Sequence, residues 1–232
     1  MRKQKAGAIV IKSFALLVVF GTAYQAMAQD AKTTYPSMAP IEQYRMDRTA
    51  EIPLARSAAP ESVSGDAEVL VLGSHGFETA VKGKNGFVCI VERSWTSAPD
   101  TDFWNPKVRT PICYNAAAAR SVLLRNIQRT DLILAGRTKA QVDEAIVAAV
   151  AKKELPAMEP GAMCYMMSKQ GYGGDSVKHW PPHVMFYFSQ TDPATWGAGL
   201  PGSPILAMSD DHEHLTMFAI GVQRWSDGTE PR

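Results

Sequence analysis

Ala67-Glu68-Val69-Leu70-Val71-Leu72, Gly73-Ser74-His75-Gly76, residues 77–81, Lys82-Gly83-Lys84-Asn85-Gly86 and Phe87-Val88-Cys89-Ile90-Val91 follow one another without a gap, and their reading decides the fold. Three runs rich in β-branched and aromatic residues are separated by two clusters of glycine and small polar residues, the punctuation of strands joined by turns. Asn85 and Gly86 both accept positive φ at low cost, which makes them a strong short-range hairpin signal. The stretch predicts a three-stranded antiparallel meander.

Toward the N-terminus, a short helix is expected, with Thr49 as its cap, Glu51 in its first turn facing the positive helix end, and Pro60 as its stop. Pro53 then falls on the fourth helical residue, whose N–H has no intrahelical partner in any case. Residues 29–48 are polar and irregular, with Pro36 and Pro40, and read as a flexible lead-in.

Toward the C-terminus, residues 94–112 hold three prolines and two tryptophans and read as a long loop. Asn115 caps a helix running to about Gln128, with Val122, Leu123 and Ile127 on one face. Thr138 and Gln141 form a capping box for a second helix, which turns Val142, Ile146, Ala149 and Val150 inward. Acids near its start, Lys152 and Lys153 near its end and Pro156 beyond agree with that assignment. Short strands follow at 163–167, 183–188, 204–208 and 215–225. The expected fold is α+β: an antiparallel sheet of about six or seven strands with two main helices packed on one face, in one domain spanning 49–232.

Residues 1–28 carry the parts of a secretory signal: a basic start (Arg2, Lys3, Lys5), an apolar core from Phe14 to Phe20, and Ala26-Met27-Ala28 as the cleavage site. The apolar core is roughly ten residues against the ~20 of a spanning helix. No later segment approaches that length, so no transmembrane segment is expected after the signal is removed. Cleavage leaves 204 of the 232 residues and, by removing four basic residues and no acid, takes the formal charge from +1 to −3. The remaining cations are scattered, which argues against a nucleic-acid partner. The expected location is periplasmic or secreted, where disulfides persist. Cys89 and Cys113, closing a 23-residue loop, are the expected pair, worth about 3 kcal/mol by loop-closure entropy. Cys164 is left over.

Three strings, Glu51-Ile52-Pro53-Leu54-Ala55-Arg56-Ser57-Ala58-Ala59-Pro60, Gly83-Lys84-Asn85-Gly86-Phe87-Val88-Cys89 and His179-Trp180-Pro181-Pro182-His183-Val184-Met185-Phe186, together resemble a group of small exported bacterial proteins of unknown function. The resemblance implies a folded, exported protein and brings no activity, cofactor or functional residue with it.

Candidate chemistry is sparse. His179 and His183 flank Trp180-Pro181-Pro182, which forbids a helical turn between them but allows convergence from an extended one. His212 and His214, at i and i+2, would share one face of a strand, with Asp210, Asp211 and Glu213 nearby. These four histidines are the candidate ligands for Zn or Cu, and no His-Glu-x-x-His or Cys-x-x-Cys accompanies them. Met158, Met163, Met166 and Met167 with Cys164 read as core packing rather than a Cu(I) site. Gly73-Ser74-His75-Gly76 is not a nucleophile elbow, and Gly171-Tyr172-Gly173-Gly174 lacks the Lys-Ser or Lys-Thr of a phosphate loop. Trp95, Trp104, Trp180, Trp196 and Trp225 either line a binding cleft or lid the open face of the sheet. The expectation is an exported, non-catalytic binding or accessory protein without a cofactor. Its alternative is an exported metal-dependent, hydrolase-like enzyme built on the histidines of the C-terminal third.

Overall fold

Glu68–Leu72 (β1) and Phe77–Val81 (β2) form the expected antiparallel hairpin, but Val88–Glu92 (β3) lies on the other side of β1 and runs parallel to it, pairing Glu68 with Val88 and Val69 with Cys89. The Asn-Gly turn therefore closes no hairpin. The linking segment crosses the start of β1 so closely that a Cβ on Gly83 would stand 2.3 Å from the Glu68 nitrogen. The Lys84 N–H donates to the Asp66 carbonyl, and the Glu68 N–H to the Phe87 carbonyl, each at 2.8 Å. Asn85 donates to the Val63 carbonyl at 2.7 Å and accepts from the Phe87 N–H at 3.1 Å, while Gly86 supplies φ +79°. Of the pair, Gly86 alone takes positive φ, and it serves to steer a crossover.

The computed structural model describes residues 34–97 and 100–231; the signal-like segment 1–28 lies outside them. The remaining helices are Arg48–Arg56 (α1), Glu61–Ser64 (α2), Ser94–Ser97 (α3), Ala116–Ala119 (α4), Val122–Leu134 (α5) and Lys139–Ala151 (α6). Thr110–Tyr114 (β4), Met163–Met166 (β5), His183–Ser189 (β6), Ile205–Asp210 (β7) and Leu215–Gly221 (β8) complete one sheet, in the order β2-β1-β3-β4-β5-β6-β8-β7. The sheet has eight strands rather than six or seven, and it is mixed, with β1/β3 its parallel pair. The additional strand is β4, where Pro111 argued for a loop because it donates to no ladder. Of β4, only Cys113 and Tyr114 pair with β5, so Pro111 stands where that side of the ladder is open.

The two main helices, α5 and α6, pack together on one side of the sheet, but α1 covers the other face. Strand periodicity sends Val69, Val71, Cys89, Val91 and Cys113 to the face covered by Leu54, Ala55 and Ala58 of α1 and the turn after it. It sends Ile90, Ile112, Tyr114, Cys164, Met185 and Tyr187 to the opposite face, under Ala118, Val122 and Leu123. α6 adds Val142, Ile146 and Ala149 to a third cluster with Ile133, Trp95 and Phe103. The Thr138/Gln141 capping box is present in both directions. Cys89 and Cys113 are cross-strand neighbours on β3 and β4 and form the disulfide.

The helix from Asn115 is broken after one turn. The Ser121 hydroxyl donates to the Ala117 carbonyl at 2.8 Å, taking the acceptor that its own N–H would use in a continuing helix. α5 then restarts and runs past Gln128 to Leu134. The cap of α1 is Asp47, whose carboxylate accepts from the Thr49 N–H at 2.8 Å, so Pro53 is its sixth residue and not its fourth. Residues 34–48, read as a lead-in, are tied to the body: Tyr44 is fully buried, and Ile41–Gln43 forms a 3-10 turn.

Candidate functional site

The described structure keeps the four candidate histidines apart. His183 opens β6 opposite Gly221, while the turn bearing His212 and His214 lies beyond Leu215, which pairs with Ser189 at the far end of the same strand. The separation is about 20 Å along a seven-residue strand. His179 holds the Gly171 carbonyl through Nδ1 at 2.8 Å and packs on Trp225 with ring centres 5.1 Å apart. His183 holds the Pro181 carbonyl at 2.7 Å, and burial pushes its imidazole below the ordinary value. Among the described residues, no three His, Cys, Asp or Glu side chains stand together as metal ligands.

His212 and His214 sit on a turn, not on a strand, and His214 has a left-handed backbone (φ 50°). The residue that organises this turn is Glu213, between them. Its carboxylate enters α5, 3.4 Å from Arg125 and in a closer ion pair with Arg129, and Arg125 also donates to the Glu213 carbonyl at 2.9 Å. The Asp210 carboxylate accepts the His212 and Glu213 N–H groups at 2.9 Å. The acidic string is thus a clamp that docks the β7–β8 turn on a helix 84 residues earlier in the chain. No local signal marks it, because the arginines that define it lie far away in sequence.

Cys164 is a core thiol. It is fully buried, lies 3.1 Å from the Tyr187 hydroxyl, and burial pushes its pKa well up, away from thiolate chemistry. Beside it runs a buried polar chain: the Tyr114 hydroxyl donates to the Glu92 carboxylate, and Asn126 of α5 reaches both at 2.6 Å. These groups are buried within the core cluster of the sheet.

The tryptophans divide between the two roles. Trp95 is a lid: it is buried, with its indole N–H donating to the Thr130 hydroxyl at 3.0 Å. Trp196 is another, stacked on Phe218 at 4.6 Å and tilted against Phe188 at 4.8 Å, over the β6–β8 part of the sheet. Trp180 borders a dent of about 20 Å³ with Tyr172 and His179, room for one water. Trp104 instead lines a groove of about 450 Å³ together with Pro36 and Met38 of the N-terminal segment and the α5–α6 turn, with Arg137 and Lys139.

That groove is held by buried groups. The Tyr44 hydroxyl accepts from the Ala39 N–H at 3.2 Å and donates to the Trp104 carbonyl at 2.8 Å, pinning one wall to the other. At the start of the same segment, the Tyr35 hydroxyl donates to Asp175 at 2.6 Å, which holds the phenol proton and raises the Tyr35 pKa to about 12; hydrogen bonds from Tyr172 first and Tyr35 second lower that of Asp175. Pro36 and Pro40 stiffen the stretch between the pins. Lys139 is committed to Asp143 at 2.7 Å and Asp100 at 3.4 Å, whereas the Arg137 guanidinium is exposed at the rim. The groove is shallow and open to solvent, so a ligand lying in it would keep part of its surface wet. Apolar walls with a cationic rim suit a ligand with an apolar body and an anionic end. Tyr35 and Tyr44, aromatic residues in an otherwise polar run, are the sequence signal that this segment is part of a wall. No family model, curated protein or solved structure matches the chain.

Proposed function

We propose that this is an exported, non-catalytic binding protein that takes a small amphipathic anion into the groove between Trp104 and the α5–α6 turn. The observation that carries the reading is the groove itself: about 450 Å³, walled by Trp104, Met38 and Pro36, with Arg137 at its mouth. Trp104 and Met38 offer apolar contact and Arg137 a charge-assisted hydrogen bond to a carboxylate or sulfonate. The first turn of α6 faces the same rim, and its dipole favours negative charge there. Export rests on the signal-like residues 1–28. The buried Cys89–Cys113 disulfide is compatible with it, and among the described residues no helix is long and apolar enough to cross a membrane.

The probe is 1-anilinonaphthalene-8-sulfonate, an aromatic body with one anionic group, with dodecanoate as competitor. Saturable fluorescence enhancement is expected, reversed by dodecanoate, and Arg137→Glu weakens it about tenfold at unchanged Tm, the loss of one charge-assisted contact. Absence of saturable binding, or equal binding by Arg137→Glu, overturns the assignment of the groove. Export has its own test: protein recovered from the periplasm or medium should begin at Gln29 and carry Cys89 and Cys113 as cystine. A cytosolic chain retaining Met1 with reduced thiols refutes it.

A further inference from the structure

The two edges of the sheet are not treated alike. At the β2 edge the strand carries Glu78, and the Arg48 guanidinium donates to the Ala80 carbonyl at 2.8 Å and the Thr79 carbonyl at 3.4 Å, with Glu78 3.5 Å away. Charged side chains laid on an edge strand are the usual protection against unwanted strand pairing. The β7 edge keeps such features to its two ends, Pro204 just before it and Asp210 as its last residue. Between them Ile205-Leu206-Ala207-Met208-Ser209 contains no charge and no proline, and the register with β8 runs without a bulge from Ile205↔Ile220 to Asp210↔Leu215.

The direction of its free main-chain groups follows from its first residue. The Ile205 carbonyl accepts from the Gly199 N–H, and the Ile205 N–H donates to the Ser203 hydroxyl, each at 3.2 Å, so the Ile205 main chain faces away from β8. Alternation along a strand turns the main chains of Ala207 and Ser209 the same way, while Leu206, Met208 and Asp210 bond to β8. Beyond Ile205 the edge therefore presents two N–H groups and two carbonyls in one line. On one face of the same strand, Leu206 and Met208 are 67% and 55% exposed, continuous with Met217 and Ala219, their cross-strand partners.

We propose that β7 is a homodimer interface, on which a second copy of this chain pairs its own β7 antiparallel about a two-fold axis at Met208. That register sets Ala207 against Ser209 of the second copy and Ser209 against its Ala207. All four outward donors and acceptors are then matched, which a two-fold arrangement does with one surface used twice. The two Met208 side chains meet across the axis in the close, non-hydrogen-bonded position, and each Leu206 lies on the diagonal from the other Met208. The eight-stranded sheets join into one continuous sheet. Asp210, which this register sets opposite Leu206 of the second copy, has its carboxylate bonded to the His212 and Glu213 N–H groups of its own turn. The contact is small, with one short strand and two apolar side chains from each copy, so the dimer belongs to the weak, reversible class.

Sedimentation equilibrium of the mature protein tests this. The mass average should rise from the monomer value near 1 µM toward twice that value as concentration reaches about 100 µM, the span of a weak contact. Ser209→Pro removes an outward donor without touching the β8 ladder, and it should weaken association at least tenfold while leaving the Tm in place. Met208→Lys, which places two like charges across the axis, should do the same and stands in if the proline variant fails to fold. A wild-type chain that stays monomeric at 100 µM, or a folded Met208→Lys variant that dimerises as well as wild type, overturns the proposal.

Discussion

Arg93→Met should lower the unfolding free energy by roughly 3–5 kcal/mol in urea titrations, the loss expected when one partner of a buried ion pair is removed and the other stays behind. Arg93 stands just beyond β3 with both its side chain and that of Glu51 fully buried, 2.7 Å apart. Its Nε donates to the Tyr44 carbonyl at 2.7 Å, and a terminal nitrogen donates to the Val91 carbonyl. The Glu51 Oε1 accepts from Arg93 and, at 3.3 Å, from the Leu72 N–H, while Oε2 has no hydrogen-bond partner among the described residues. Methionine fills much of the same volume, so the loss reports the stranded carboxylate and the Tyr44 carbonyl rather than a cavity. Glu51→Leu/Arg93→Met should then recover most of the deficit, because a buried pair replaced by apolar residues of similar size is near neutral. If the double variant is as unstable as Arg93→Met, the two residues are not coupled and the account fails. A second readout ties the pair to the groove: Arg93 holds the Tyr44 main chain, and the Tyr44 hydroxyl pins Ala39 to Trp104. Anilinonaphthalene sulfonate should bind more weakly to Arg93→Met than to wild type.

Legibility in the sequence follows the range of the interaction. The Thr138/Gln141 capping box, the inward face of α6 and the existence of β1, β2 and β3 are set by residues within a few positions of one another, and all are found where expected. The cystine was legible because only three cysteines exist and one pair closes a plausible loop. The parallel placement of β3 was not legible. Asn85-Gly86 has the same local preference in a hairpin and in a crossover, and the deciding contacts are Asn85 with Val63 and Gly83 with the backbone of Glu68. Glu51 illustrates the same limit: near the start of a helix it suggests a dipole partner in water, yet 42 residues later Arg93 takes it into the core. The histidines drew attention as metal ligands while the chemistry of their segment belongs to Glu213, whose arginines sit 84 and 88 residues away. The groove combines both cases. Trp104 was visible as a loop tryptophan, but part of the lining came from residues that polarity and two prolines had marked as a tail.

Glu92→Gln should stabilise the protein at pH 8 by up to about 3 kcal/mol and have little effect at pH 4.5, a difference set by one carboxyl. Glu92 ends β3 and is buried; burial raises its pKa from 4.5 to about 7, only partly opposed by the hydrogen bond from Tyr114. The groups in contact with it or acting on it electrostatically are Tyr114 of β4, Asn126 of α5, Cys164 of β5 and Tyr187 of β6, none of them a cation. Below pH 4.5 the carboxyl is protonated in both folded and unfolded chains and contributes no pH-dependent term. Between 4.5 and about 7 the unfolded chain ionises and the folded one does not, so stability falls as pH rises. Above about 7 both are ionised, and the full cost of a buried charge is present, roughly 2.5 pKa units at 1.36 kcal/mol each. Glutamine keeps an Oε1 acceptor for Tyr114 and Asn126 and cannot ionise, so its stability profile should be flatter through this window. Urea unfolding of both chains at pH 5 and pH 8 decides the matter: a gain from Glu92→Gln that is the same at both pH values would mean that the buried carboxyl does not titrate between them. Through this one carboxyl, the fold is expected to be firmer in mild acid than in mild base.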